Sequence, residues 1–266
     1  MKTKLIAVDL DGTLLKNDET LSLKGIKALQ QAAQQGILVV IATGRGLQSV
    51  RRYAKKLGIF QPVIVVDGAQ IFSAPDGHLW QQYTIPMDVA RSIAAFADSN
   101  NWELTTLIGS TTYYRQRPDQ ALGELELGRI ICGNNTDGIK QAPHRILTHE
   151  PDAIPRLWEF CLKSDFMDIR WQRFYNPDGK IRSLCISPSH ANKGQALKYL
   201  CRKLNIDLSQ TMAIGDYDND LSMFEVAGRS VAMGNALEHI KAKADRVAPS
   251  NEDDGVAWAI EAFALS

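Results

Sequence analysis

The 266-residue chain is 45% hydrophobic and 23% charged, the make-up of a soluble globular protein with a sizeable core. Thirty Lys and Arg residues offset thirty Asp and Glu residues and the sequence pI is about 7.0, so no overall basic field draws the chain to nucleic acid or to a membrane surface. The first apolar stretch is too short for a signal peptide and stops at Asp9, and no run has the length of a membrane span.

Taken in chain order, strands alternate with amphipathic helices. "KLIAVD" at the start reads as a buried strand. "SLKGIKALQQAAQQG" predicts a helix with Ser22 as N-cap, an apolar face of Ile26, Leu29 and Ala33, and Gly36 as the stop. "ILVVIA" (37–42) is a continuous apolar run, expected of a strand covered on both faces; a helix over about 46–58 and the strand "PVIVV" (62–66) follow. "IFSAPDGHLWQQYTI" then predicts a hairpin turning at Pro75-Asp76-Gly77, and "DVARSIAAFADSNN" a helix with Asp88 as N-cap. The stretch from about 102 to 186 mixes short strands and helices. The regular rhythm returns with a helix over 192–204, the strand "TMAIGD" (211–216), the helix "DNDLSMFEVAG", the short strands "SVAMGN" and "ADRVAP", and a closing helix, "DDGVAWAIEAFAL".

This order predicts an α/β fold: a Rossmann-like, doubly wound parallel sheet formed by residues 1–85 and 188–266. It is interrupted by an inserted α+β cap domain, residues 86–187, with Pro86 and Pro188 at the joints. The four cysteines (Cys132, Cys161, Cys185, Cys201) form no CxxC pair and the histidines no HExxH pattern. Reduced thiols in a cytoplasmic protein are expected, not a disulfide scaffold or a zinc hydrolase.

Three of the buried strands end in polar residues: at Asp9, at Thr43-Gly44-Arg45 and at Asp216. In an open parallel sheet, ligands bind outside those carboxyl ends, so residues distant in sequence meet there. Asp9, Asp11 and Asp216 then form an oxygen-rich site suited to magnesium, which takes one or two carboxylates and bridges to phosphate. Thr43, the Gly44 amide and Lys193 supply donors for phosphate oxygens. Each piece alone has a plainer reading. Asp-x-Asp-Gly makes turns, Thr-Gly caps helices, and a single lysine is ordinarily solvated. "GDYDND" lacks the closing glutamate of a calcium loop, and Ser49 stands where a dinucleotide fingerprint needs its third glycine.

In combination and order, "DLDGT" (9–13), "ATGR" (42–45), "NKG" around Lys193 and "GDYDND" (215–220) resemble the haloacid dehalogenase-like superfamily, and within it the Cof-type phosphatases. "VAMGNA" (231–236) and "NEDDGVA" (251–257) add to the resemblance. It implies a magnesium-dependent phosphatase of small phosphorylated metabolites, sugar phosphates first among them. Asp9 would be the nucleophile and Asp11 the general acid and base. Magnesium would be held by Asp9, the Asp11 main-chain carbonyl and Asp216. Phosphoryl oxygens would be held by the Leu10 amide, Thr43, Gly44, Lys193 and Asn219, with Asp220, Thr13 and Arg45 in support. Asp11 favours ester hydrolysis or phosphoryl transfer to an alcohol, since superfamily dehalogenases and cation pumps lack an acid there.

The resemblance leaves a phosphomutase on the same scaffold as a close alternative. A receiver-type phospho-acceptor is the alternative from another class, although the chain is much longer and carries an insert. The sequence departs from the subfamily at Asp67, where asparagine is common; such a carboxylate needs a partner, with Arg45 the candidate, or a proton. Substrate choice is expected to lie in the insert, where Tyr113, Tyr114, Arg115, Arg117, Arg170 and Arg173 are the candidates. The partner implied is a small-molecule phosphate ester; the sequence specifies no oligomeric state.

Overall fold

The computed structural model describes residues 2–116, 123–125, 128–176 and 179–265. Arg117 lies outside them. The chain forms two compact units, Met1–Gln81 with Ala191–Ser266, and Gln82–His190. Pro86 and Pro188 both fall in the second unit, where Pro86 precedes its first helix and Pro188 ends its last strand.

The first unit begins with β1 (Leu5–Val8), α1 (Leu23–Gln34), β2 (Leu38–Ala42), α2 (Leu47–Leu57), β3 (Val63–Val65), β4 (Gln70–Phe72) and β5 (Leu79–Gln82). Ser22 caps α1 as expected, its hydroxyl accepting from the Gly25 amide at 2.9 Å. The buried stripe of α1 is Gly25, Ala28, Leu29 and Ala32; Ile26 and Ala33 lie at its edge, half-buried, so the face is rotated from the one expected. The hairpin at Pro75-Asp76-Gly77 forms, closed by a Ser73 amide bond to the His78 carbonyl of 2.9 Å.

The second unit contains α3 (Met87–Ser99), β6 (Thr105–Ile108), β7 (Thr111–Arg115), β8 (Gly123–Leu125), β9 (Arg129–Cys132), α4 (Asn135–Gly138), β10 (Arg145–Thr148), α5 (Ala153–Lys163), β11 (Ile169–Tyr175) and β12 (Ile181–Pro188). Its sheet runs β11-β12-β10-β6-β7-β9-β8, antiparallel except for β7 beside β9. Ile146, Leu184 and Ile186 pack with Ile93, Leu157 and Cys161 of α3 and α5 into one core. Asp88 does not cap α3: Pro86 holds the cap position, its carbonyl accepting from Ala90, and Asp88 sits in the first turn. An acid there still favours the helix through the positive end of its dipole.

The chain re-enters the first unit with α6 (Lys193–Leu204), β13 (Thr211–Gly215), α7 (Leu221–Phe224), β14 (Arg229–Ala232), α8 (Glu238–Lys241), β15 (Arg246–Val247) and α9 (Gly255–Phe263). The expected helix "DNDLSMFEVAG" is a single tight turn, Asp218–Asp220, leading into the four-residue α7, because Asp220 turns its side chain back onto the preceding amides. The strand order is β15-β14-β13-β1-β2-β3-β4-β5, with β15 through β3 parallel and β4 antiparallel.

Leu5 and Ala7 face α6 residues Ala196, Leu197 and Leu200; by alternation Ile6 and Val8 point to the opposite layer, and all four strand residues are buried. Cover on both faces is why β1, β2 and β13 read as unbroken apolar runs. The order reverses at β1, with β2 on one side and β13 on the other, which makes the carboxyl ends of β1 and β13 the topological switch point. Among the described residues, no helix is long and apolar enough to cross a membrane.

Candidate active site

Asp9 leaves β1 still tied to β13, its amide donating to the Ile214 carbonyl at 3.0 Å. The chain then winds through one irregular turn, in which Leu15 donates back to Leu10 and Gly12 takes φ +73°. Gly12 also makes room: a Cβ there would lie 2.2 Å from Asp216 Oδ2. Thr13 Oγ1 donates to the other oxygen of Asp216 at 2.9 Å. The turn is braced from outside. Asn235 donates to the Gly12 carbonyl at 2.8 Å, Asn251 to the Leu15 carbonyl at 2.9 Å, and the Asn251 amide to Asn235 at 3.0 Å. That gives "VAMGNA" and "NEDDGVA" a physical role: they fix the loop after the first strand.

Lys193 opens α6 behind its Asn192 cap and is completely buried. Its ammonium donates to Asp9 Oδ1 at 2.5 Å and to Asp220 Oδ1 at 2.6 Å. The other Asp220 oxygen accepts from the Asp216 and Tyr217 amides at 2.9 and 3.1 Å. Asp220 thus holds both the lysine and the strand end that presents Asp216. Gly215 permits this, since a Cβ there would lie 2.4 Å from the Asp220 carboxyl carbon.

The acids that lie together are Asp9, Asp216 and Asp220, with one oxygen from each within 4.8 Å of the others. The Asp11 carboxylate, grouped with Asp9 and Asp216 on sequence grounds, is turned away to Arg45. One ammonium faces three carboxylates. Burial lowers the Lys193 pKa, but Asp220 and Asp9 outweigh it and hold the lysine protonated. Burial lifts Asp9 well above the ordinary carboxylate range, with Lys193 pulling it back only in part. Burial, then Asp220, push Asp216 up to about 7. Excess buried negative charge of this kind calls for a second cation, and carboxylate oxygens are the donors a hard divalent ion prefers. Asp9 and Asp216 could hold such an ion, each with one carboxylate oxygen directed into the cluster, whereas both Asp220 oxygens are already engaged.

A stability signature follows. Asp216 has a raised folded-state pKa, so its favourable contribution in the metal-free protein is complete below about pH 4. It is lost as pH rises toward about 7. A bound divalent cation reverses that loss. The gain in Tm on adding magnesium is therefore expected to be larger at pH 8 than at pH 5.5 by scanning calorimetry. An equal gain at both values would mean that the cation binds elsewhere.

At the end of β2, Thr43 is fully buried, and its hydroxyl accepts from the Arg45 amide at 3.1 Å. Beside it, Val66, Asp67 and Gly68 are three consecutive residues in the left-handed region (φ +53°, +52° and +92°). For Val66 this is costly, and such strain is concentrated at functional sites. It brings the Asp67 carboxylate against Gly44, where a Cβ would lie 3.1 Å from Asp67 Oδ2. Asp67 accepts from Asn219 Nδ2 at 2.7 Å. The partner of the unusual Asp67 is thus Asn219, and not Arg45, which is committed to Asp11 and Glu19. Arg45 Nε donates to Asp11 Oδ2 at 2.8 Å, and Nη2 to Glu19 at 2.8 Å.

Glu19, Asn235 and Asn251 were not singled out in the sequence. The two asparagines lie inside stretches that were; Glu19 lies in a polar turn without periodicity. In the second unit, Tyr113 and Arg115 share one face of β7 and Tyr114 takes the other. Arg115 donates to Asn101 at 2.6 Å, Arg173 lies 3.8 Å over the Trp158 ring, and Arg170 is half-buried on β11.

A largely parallel α/β sheet carries, at its switch point, a buried acidic cluster that holds a lysine and could hold a divalent cation. The chain belongs to the haloacid dehalogenase-like hydrolases, whose family model matches residues 6–260. Phosphatase YwpJ of Bacillus subtilis is 36% identical, over 96% of this chain and 97% of the relative. The B. subtilis 5-amino-6-(5-phospho-D-ribitylamino)uracil phosphatase YitU is 29% identical, over 97% of each chain. Among solved structures, a haloacid dehalogenase-like hydrolase from B. subtilis superposes with a TM-score of 0.81 at 32% identity, over 97% of this chain and 99% of the other. One from Bacteroides thetaiotaomicron reaches 0.85 at 26% identity, over 98% and 99%. Family and relatives together make the chain a phosphatase-type hydrolase.

Proposed function

We propose that this phosphatase is magnesium-dependent and hydrolyses small phosphorylated metabolites, sugar phosphates among them, through an aspartyl-phosphate on Asp9. The observation behind this reading is the convergence of Asp9, Asp216, Asp220 and Lys193 at the switch point. Magnesium would be held by Asp9, Asp216 and the Asp11 main-chain carbonyl, and when bound supplies positive charge to the phosphoryl oxygens.

Asp9 attacks phosphorus in line, forming a carboxyl-oxygen–phosphorus bond as the ester P–O bond breaks. Asp11 delivers a proton to the departing oxygen. It then takes one from the water that attacks the aspartyl-phosphate and restores Asp9. The Leu10 and Gly44 amides, Thr43, the third Lys193 proton and Asn219 bind the phosphoryl oxygens as charge develops. Asp67 orients the Asn219 amide, and Thr13 orients Asp216.

All of these residues lie in the first unit, so we assign the choice of ester to the inserted unit, Gln82–His190. The four cysteines are free thiols, in keeping with a cytoplasmic site of action.

The test is phosphate release over a panel of sugar phosphates, phosphoglycolate and 5-amino-6-(5-phospho-D-ribitylamino)uracil, with magnesium and with chelator. Release from a subset, lost on chelation and restored by magnesium, is expected. Calcium should restore little, since its larger and looser shell misplaces the nucleophile. Full activity after chelation would contradict the reading, and conversion of one sugar phosphate into its isomer without release would identify a mutase.

A further inference from the structure

Residues 15–21 form a small hairpin at the surface: Leu15 pairs with Leu21, Lys16 donates to the Thr20 carbonyl at 2.9 Å, and Glu19 donates to the Lys16 carbonyl at 2.9 Å. Asp18 braces the tip by accepting from the Thr20 amide and hydroxyl at 2.9 and 2.6 Å. Glu19 sits at that tip with φ +60°, a conformation that glycine or asparagine adopts more readily. Its carboxylate is used. One oxygen accepts from Arg45 Nη2 at 2.8 Å; the other lies 3.5 Å from the Tyr53 hydroxyl and 3.7 Å from Arg52.

Arg45 is held along every edge. Nε donates to Asp11 at 2.8 Å, Nη2 bridges Asp11 and Glu19, and Nη1 donates to the Tyr53 hydroxyl at 3.2 Å. Its guanidinium carbon lies 5.4 Å from the Tyr53 ring centroid. The Arg45 side chain is 18% exposed, while those of Asp11 and Glu19 are 54% and 58% exposed. Ion pairs this open to water add little to stability. What the arrangement does supply is a fixed place and plane for the Asp11 carboxylate.

We propose that Glu19 is a positioning residue for the general acid–base, acting through Arg45 on Asp11. This rests on the assignment of Asp11 to that role. A half-exposed aspartate samples several rotamers, and proton transfer requires hydrogen-bond reach to the leaving oxygen. Arg45 grips both carboxylate oxygens and so holds Asp11 in one resting rotamer, from which a single defined swing carries it to the leaving oxygen. Glu19 keeps the arginine in place when Asp11 turns to give its proton to the leaving oxygen, whose electron pair comes from the breaking P–O bond. With Glu19 absent, Arg45 follows whichever carboxylate or phosphate is nearest.

The test compares kcat/KM for p-nitrophenyl phosphate, whose leaving group needs little protonation, with that for an alkyl sugar phosphate, whose leaving group needs it. The full chain is used with magnesium, and Asp11→Asn serves as reference. Glu19→Ala is expected to lower kcat/KM on the alkyl ester about tenfold and on the aryl ester less than about threefold. Glu19→Gln, which keeps an acceptor for Arg45, should recover part of the loss. Arg45→Lys, which cannot reproduce the fork, should resemble or exceed Glu19→Ala.

Equal losses on both esters would assign Glu19 and Arg45 to phosphate binding and overturn the proposal. So would unchanged Glu19→Ala kinetics beside an Asp11→Asn variant that is selectively impaired on the alkyl ester. If Asp11→Asn itself showed no dependence on the leaving group, the Asp11 assignment would fall first, and the proposal with it.

Discussion

Replacing Asp9 with Asn is expected to lower phosphate release by at least about 10⁴-fold, as loss of a nucleophile ordinarily does. The fold should survive. The amide fills the same volume, its carbonyl oxygen still accepts from Lys193, and the change removes a carboxylate that burial already makes costly to ionise. In the absence of metal, the variant's Tm should therefore match or exceed that of the parent. An Asp9→Asn protein that is well folded, binds magnesium and still turns over near the parental rate would show that another group attacks phosphorus.

The largest expected loss of stability comes from Lys193→Met. The ammonium is fully buried and lies 2.5 and 2.6 Å from two carboxylates, so its removal strands buried charge. Breaking such a pair on one side costs about 3–5 kcal/mol. The cost depends on pH. Asp9 and Asp216 have folded-state pKa values above their unfolded ones, and loss of the lysine removes a charge that holds both down, so the penalty is smallest where they are protonated. It grows as pH rises through those folded values. Urea unfolding with chelator present should thus show a larger deficit at pH 8 than at pH 5. Adding Asp220→Asn to Lys193→Met should recover part of the loss, because one stranded charge disappears. Equal stability of Lys193→Met and the parent across this range would mean that water reaches the lysine, and that the ion pair is not the buried one described here.

Much of this was legible in the sequence, for a physical reason. Strands β1, β2 and β13 are covered on both faces, so they must be apolar along their length, and a polar residue at the carboxyl end of each stands out. Asp9, Thr43 and Asp216 are visible because the sheet ends where they begin. Ser22 is readable as a cap because the orphan amides of a first turn demand a side-chain oxygen. Other features depend on tertiary contact and leave no local pattern. Asp88 looked like a cap, but Pro86 already supplied an extended cap residue. The helix expected from Asp218 begins as a tight turn in which the Asp220 carboxylate serves Lys193 and two backbone amides together. Asp67 found its partner in Asn219, 152 positions away, and Glu19 reached Arg45 from a hairpin whose sequence looks like any polar turn. The insert shows no regular rhythm in the sequence because its sheet is assembled from strands of three to eight residues.

The central claim is that hydrolysis proceeds through a phosphoryl group carried on Asp9. Its most direct test is the stereochemical course at phosphorus. A substrate ester made chiral at phosphorus with sulfur and an oxygen isotope is hydrolysed by the magnesium-loaded protein in water of a third oxygen isotope, and the configuration of the product thiophosphate is determined. Two in-line displacements, first by Asp9 and then by water, each invert the centre, so net retention is the predicted result. Net inversion would mean that water attacks the ester in a single step, and would contradict the account.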